Sequence, residues 1–196
     1  MKKVVCLPGI LAFTLSFSLL PAQEQKAEAP AAMPKPKAPL ELVKLSFLAG
    51  EFATETKVHP NPVAPEGETA KGSLKTKWVL DSMFLLFEEA IEFPIFGKYR
   101  GMGLLTYDRV GKQYYLGMHN NFGDHPSYKG NFVGDTLILE GQIPFEGGSF
   151  TQHVMWLWDG NNIKLWVRNN MGEGFVPVIE QTYLPAAKTS KENRKK

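Results

Sequence analysis

Ser73-Leu74-Lys75-Thr76-Lys77-Trp78-Val79-Leu80 is the stretch on which the fold turns. Leu74, Thr76, Trp78 and Leu80 alternate with Ser73, Lys75 and Lys77. Successive side chains of a strand point to opposite faces, so this period of two predicts a half-buried strand. Asp81-Ser82 turns the chain, and Met83 to Ile91 reads as a second strand, apolar on both faces at Phe84-Leu85-Leu86-Phe87. Upstream, His59 to Gly67 holds three prolines and reads as a loop or edge. Before it, Phe52, Thr54, Thr56 and Val58 alternate with Glu51, Ala53, Glu55 and Lys57. Only the opening looks helical: Leu40, Val43, Leu45 and Leu48 follow Pro39 and precede Gly50.

Downstream the strands continue. Tyr99 to Asp108 leads through Val110-Gly111-Lys112 into Gln113–Asn120. Tyr128 to Val133 meets Gly134-Asp135, a strong hairpin signal, and then Thr136 to Gln142. Gly147-Gly148 turns into Ser149–Trp158, Asp159 to Asn162 turns into Ile163–Asn169, and Phe175 to Leu184 closes the series. About ten short strands joined mostly by tight turns predict a mainly β domain in antiparallel meander. Closing such a meander removes its exposed edges. The expectation is an up-and-down β-barrel with the short N-terminal helix plugging one end; a two-sheet sandwich is the alternative.

The chain of 196 residues carries 22 Lys+Arg against 20 Asp+Glu, and that near-balance hides unlike parts. Met1-Lys2-Lys3, then the charge-free run Val4 to Leu20, then Pro21-Ala22-Gln23 has the layout of a secretory signal, 1–22. A seventeen-residue run broken by Pro8 and Gly9 is short for a membrane anchor. The expectation is therefore export to the periplasm or outside the cell, with no stable membrane insertion after cleavage. Cys6, the one cysteine, would leave with the signal. Residues 23–39 are an Ala/Pro/Lys linker with too little apolar surface to fold. Residues 186–196 form a basic tail. The domain, 40–185, has 12 basic and 17 acidic residues and no basic stripe, so nucleic acid is a poor partner.

Arg100-Gly101-Met102-Gly103-Leu104-Leu105-Thr106-Tyr107-Asp108, followed by Gln113-Tyr114-Tyr115, resembles a motif of the DUF1579 family, bacterial domains of unknown function. Leu45–Phe52 looks like that family's opening Leu-x-x-Leu-x-Gly-x-Trp pattern, and Val178–Tyr183 like its closing strand. Phe52 stands where the family usually has Trp, and Met118 and Asn120 where a Trp and an Asp are common. The resemblance implies a calycin-like barrel related to lipocalins and fatty-acid-binding proteins. It implies no reaction, because fold does not fix function.

No nucleophile elbow, phosphate loop, His-Glu-x-x-His or EF-hand loop is present. Gly101 and Gly103 inside a strand suggest a bulge or close barrel packing. His119, Asp124 and His125 flank a turn, a spacing that is no recognised metal pattern, and no metal site is expected. His153 reads as a hydrogen-bonded wall residue. A catalytic base, or a haem ligand as in some barrels of similar shape, are the sharper readings; the cofactor expectation is none. The domain holds 21 aromatics, with Met155-Trp156-Leu157-Trp158 and Leu165-Trp166 on neighbouring strands. A lumen binding a small hydrophobic or aromatic molecule is the leading expectation, non-catalytic in character. The candidate ligand contacts are Arg100, His119, His153, Trp156, Trp166 and Arg168. Glu88, Arg100, Glu140, Arg168 and Glu180 interrupt apolar strands, and Arg168 could hold a ligand carboxylate in bidentate fashion. The alternatives are an enzyme using His153 or His119 with a nearby Glu on a lipid-like or aromatic substrate, and a scaffold or homo-oligomer using its exposed aromatics.

Overall fold

In the computed structural model the alternating stretch around Trp78 is one wall of a closed barrel. The structure describes residues 35–186. The chain divides into two units, Met1–Lys35 and Pro36–Lys196, and the barrel belongs to the second. The expectations for residues 1–22, for the linker up to residue 34 and for residues 187–196 fall outside the described residues.

A 3-10 helix, Leu40–Leu48, leads into ten strands. They are β1 (Gly50–Val58), β2 (Glu68–Val79), β3 (Phe84–Phe93), β4 (Gly97–Asp108) and β5 (Gln113–Asn120), then β6 (Ser127–Val133), β7 (Thr136–Phe145), β8 (Gly148–Trp158), β9 (Ile163–Asn170) and β10 (Phe175–Pro185). Each strand pairs antiparallel with the next, and β10 pairs with β1, so the sheet has no free edge. The sandwich alternative is thereby set aside. Closure is made by seven aligned residue pairs from Phe52↔Pro185 to Val58↔Ile179.

The alternation read from the sequence sets which side chains enter the barrel. Phe52, Thr54, Thr56 and Val58 of β1 are all buried, while the residues between them are exposed. Leu74 and Thr76 point inward on β2, which starts at Glu68, five residues before the stretch the alternation marks. Leu80 does not continue that strand. It turns at φ 52°, followed by Asp81 at 56° and Ser82 at 62°, three left-handed residues that reverse the chain.

The helix also differs in its face. Leu42, Leu45 and Leu48 are buried, whereas Leu40 and Val43 are exposed. A 3-10 helix has three residues per turn, so its apolar stripe repeats strictly at every third position. Nine residues is long for such a helix. Its three leucines seat among Phe52, Leu85, Leu105 and Leu137, which offsets the poorer internal hydrogen bonding. Thr76 clamps its end: the hydroxyl donates to the carbonyl of Leu48 and accepts from Gly50 N–H at 2.8 Å. Tyr114 Oη donates to the Glu41 carbonyl at 2.8 Å. The helix thus closes the barrel end where β2, β4, β6, β8 and β10 finish.

Gly101 and Gly103 cause no bulge, since β4 stays in register with both neighbours. They face inward and permit close packing. A Cβ on Gly103 would lie 2.2 Å from Met118 Sδ, and one on Gly101 would lie 2.5 Å from Tyr99 Oη.

Candidate functional site

The two ends of the barrel are filled differently. At the plug end, Leu45 and Leu48 of the helix and Leu85, Leu105, Leu137, Leu139 and Ile163 of the strands are wholly inaccessible to solvent. Toward the other end the packing stops and leaves a cavity of about 720 Å³. Its walls are largely apolar and aromatic: Phe87, Ile91, Phe93, Tyr99, Trp156 and Val167. The β5–β6 connection, with Phe122, Asp124 and His125, forms part of its mouth. A second recess of about 770 Å³ is an open groove on the outer wall, bordered by Glu55, Lys57, Lys71, Glu92, Lys164 and Trp166. The lumen is the better ligand site, because a concave, largely apolar recess with a few convergent polar groups buries most of a small molecule.

One set of those polar groups sits on β3, β1 and β10. Gln181 Nε2 donates to Glu89 Oε1 at 2.7 Å and to Thr56 Oγ1 at 3.0 Å. Burial pushes the Glu89 carboxyl up to about 7, with the Gln181 hydrogen bond opposing it. Trp156 Nε1 donates to Tyr183 Oη at 3.4 Å, and Trp156 lies 6.2 Å from the Phe87 ring. Burial, reinforced by the nearby Glu89 charge, raises the Tyr99 and Tyr183 phenols, so both stay neutral donors. Elsewhere on the wall Tyr128 Oη donates to Gln152 Oε1 at 2.6 Å, and Gln152 Nε2 donates to Asn169 Oδ1 at 2.8 Å. Thr54 Oγ1 is buried without a hydrogen-bond partner.

Of the six residues singled out from the sequence, only Trp156 stands in this lumen. The rest lie on strand positions of opposite parity and face outward. His153, Trp166 and Arg168 share the outer face of β8 and β9, with His153 directly opposite Arg168. His153 Nε2 is 3.0 Å from Glu140 Oε2, and its ring stacks on Phe175 at 3.8 Å. Arg100 and His119 lie on the outer face of β4 and β5; Arg100 Nη1 donates to the Tyr99 carbonyl at 3.0 Å. Two His–Glu pairs therefore exist, His153–Glu140 and, at 3.0 Å, His59–Glu180; His153 and Glu140 line neither recess, and Glu180 borders the outer groove. Among the described residues no cluster of His, Cys, Asp and Glu could hold a metal ion. In the β5–β6 turn Asn120 Oδ1 accepts from Phe122 and Asp124 N–H at 3.0 Å, and Asn120 Nδ2 donates to Asp124 Oδ2 at 2.9 Å.

Glu89 is the residue that sequence reasoning misses. The sequence points to Glu88 instead, which faces outward toward Lys77 at 3.6 Å. The signal is the parity of β3: Leu85, Phe87, Ile91 and Phe93 are apolar at alternate positions, and Glu89 is the one interruption.

The model of the family described as "Protein of unknown function (DUF1579)" matches residues 41–183. No curated protein matches the chain. The crystal structure of Rv2717c from M. tuberculosis superposes with a TM-score of 0.56 at 14% identity, covering 77% of this chain and 100% of that one. At that identity the likeness shows the fold alone.

Proposed function

The chain belongs to the DUF1579 family, and from its barrel we propose an exported, non-catalytic protein that binds a small hydrophobic or aromatic molecule in the lumen. The observation that carries this reading is the unfilled half of the barrel, about 720 Å³ against a core otherwise closed by leucine. A stable closed barrel does not require such a void, since unfilled apolar space costs dispersion contacts on every wall. Its size falls in the range of small-molecule sites, roughly 300–1,000 Å³. The aromatic walls supply burial, and Glu89, Gln181, Tyr99 and Tyr128 supply orientation. Export rests on the N-terminal charge-and-apolar layout, with cleavage after Ala22 leaving Gln23 as the first residue.

Native mass spectrometry of the protein purified from its own host is expected to show a bound small molecule. Val167→Trp, which fills the lumen from β9, is expected to lose that mass and to remain folded. A wild-type protein that carries no adduct, and that also fails to bind a neutral naphthalene alcohol, overturns the reading. N-terminal sequencing of the same material checks export: a chain beginning at Gln23 supports it, and an intact Met1 in the cell interior refutes it.

A further inference from the structure

The lumen is charged with one sign only. Among the residues that line it, Glu89 and, at the mouth, Asp124 are acidic; no Lys or Arg is present, and the single imidazole is His125 at the mouth. Glu89 is half-buried on the lumen wall, on β3 between Phe87 and Ile91. One of its oxygens is held by Gln181 at 2.7 Å. The other has no partner among the described residues. Three aromatic systems line the same lumen: Phe87 from its own strand, Tyr99 from β4, and the Trp156–Tyr183 pair from β8 and β10.

A carboxylate inside an apolar wall is costly unless a cation pairs with it. No lysine or arginine of the lumen offers that cation. The titratable groups facing Glu89 are the Tyr99 and Tyr183 phenols, which stay neutral, while β1 and β2 present Thr56 and Leu74. A ligand ammonium would pair with the free oxygen and sit against aromatic faces, the arrangement that favours organic cations. A ligand carboxylate would meet Glu89 with no opposing charge. Arg168, the residue that could have held such a carboxylate, is on the outer wall.

We propose that the lumen selects a small hydrophobic amine, its apolar body among Phe93, Val154, Trp156 and Val167 and its ammonium on Glu89. This inference rests on the binding function proposed above and names the class of its ligand. Burial leaves the empty-site carboxyl titrating near pH 7, so capture of an amine would drive a proton off Glu89 at neutral pH.

Calorimetric titration of the purified protein with 1-naphthylmethylamine, 1-naphthalenemethanol and 1-naphthoic acid at neutral pH tests it. These probes share an aromatic body and differ in headgroup. The amine is expected to bind about tenfold more tightly than the alcohol, and the acid most weakly. The amine's heat is expected to vary with buffer ionisation enthalpy, showing proton release. Glu89→Gln is expected to abolish the amine's advantage and leave the alcohol's affinity in place. Should this variant not fold, the three-probe series on the unaltered protein decides alone. Equal affinities for amine and alcohol, or tightest binding by the acid, overturn the amine assignment while the lumen remains a binding site. Binding by none of the three overturns the amine assignment and, where the protein also carries no native adduct, the binding function with it.

Discussion

The two halves of this barrel are built from the same ten strands and do opposite things. Near the plug helix the interior is closed mainly by leucines, with Phe52 and Tyr114 among them: Leu45, Leu48, Leu85, Leu105, Leu137 and Leu139 are inaccessible, and Tyr114 and Thr76 tie the helix in place. Near the mouth the same strands present Glu89, Gln181 and Gln152 among aromatic rings, around an open cavity. The difference teaches where stability is stored. The closed half holds most of the fully inaccessible side chains, while the other half keeps unfilled space and a poorly solvated carboxyl.

The comparison can be broken with one chemistry applied at both ends. Leu137→Ala, in the closed half, is expected to destabilise the protein by about 4 kcal/mol, since its neighbours cannot collapse into the space. Leu165→Ala, on the cavity wall, is expected to cost about 2 kcal/mol, because that side chain already lacks partners on one side. Urea denaturation gives both values; equal losses would show that the halves are not energetically distinct.

A comparable effect concerns Glu89. Its carboxyl titrates near 7 in the folded protein against 4.5 for an unperturbed group. The folded state therefore keeps its proton where the unfolded chain has lost it. Stability falls as pH rises from 4.5 toward 7 and is level above that. The full drop is about 3 kcal/mol, and Glu89→Gln is expected to flatten it, making the variant the more stable protein at alkaline pH. Thermal melts across that range check the slope; a wild-type profile as flat as the variant's would deny Glu89 its buried environment.

The smallest effects belong outside the barrel. His153→Ala and Arg168→Ala are expected to change stability by less than about 1 kcal/mol and to leave probe binding unaltered, since the His153–Glu140 pair is partly exposed and Arg168 is an exposed outer-face residue. A large loss of probe affinity in either variant would move the site from the lumen to the outer wall.

Much of the fold is legible in the sequence because local signals agree with the topology. Strand alternation in β1 and β2 names the buried faces, and Gly134, at φ 61°, occupies the hairpin turn that Gly134-Asp135 announces. The position of the helix is legible too. Its buried face is not: Leu42, Leu45 and Leu48 form one period-three stripe and are buried, while Leu40 and Val43 lie on another stripe of the same spacing and are exposed. The site is far less legible. Phe84-Leu85-Leu86-Phe87 is apolar on both sides of β3, so those four residues alone do not say whether Glu88 or Glu89 points inward. Ile91 and Phe93 settle the parity, but only once the strand is known to run to residue 93. Gln181 and Thr56 carry no motif at all: they meet only because β10 returns to β1.

That return has a kinetic consequence. Nine of the ten strand pairings join neighbours along the chain, and each can form as a local hairpin. The tenth joins Phe52 to Pro185 and Val58 to Ile179, bringing together the two ends of the domain. Closing so long a loop is penalised by chain entropy before any contact rewards it. The seam is thus expected to zip last, and Gln181 reaches Thr56 and Glu89 only in that final event. Folding to completion and assembly of the polar floor of the lumen become one step, so a barrel that has not closed has no headgroup site to offer.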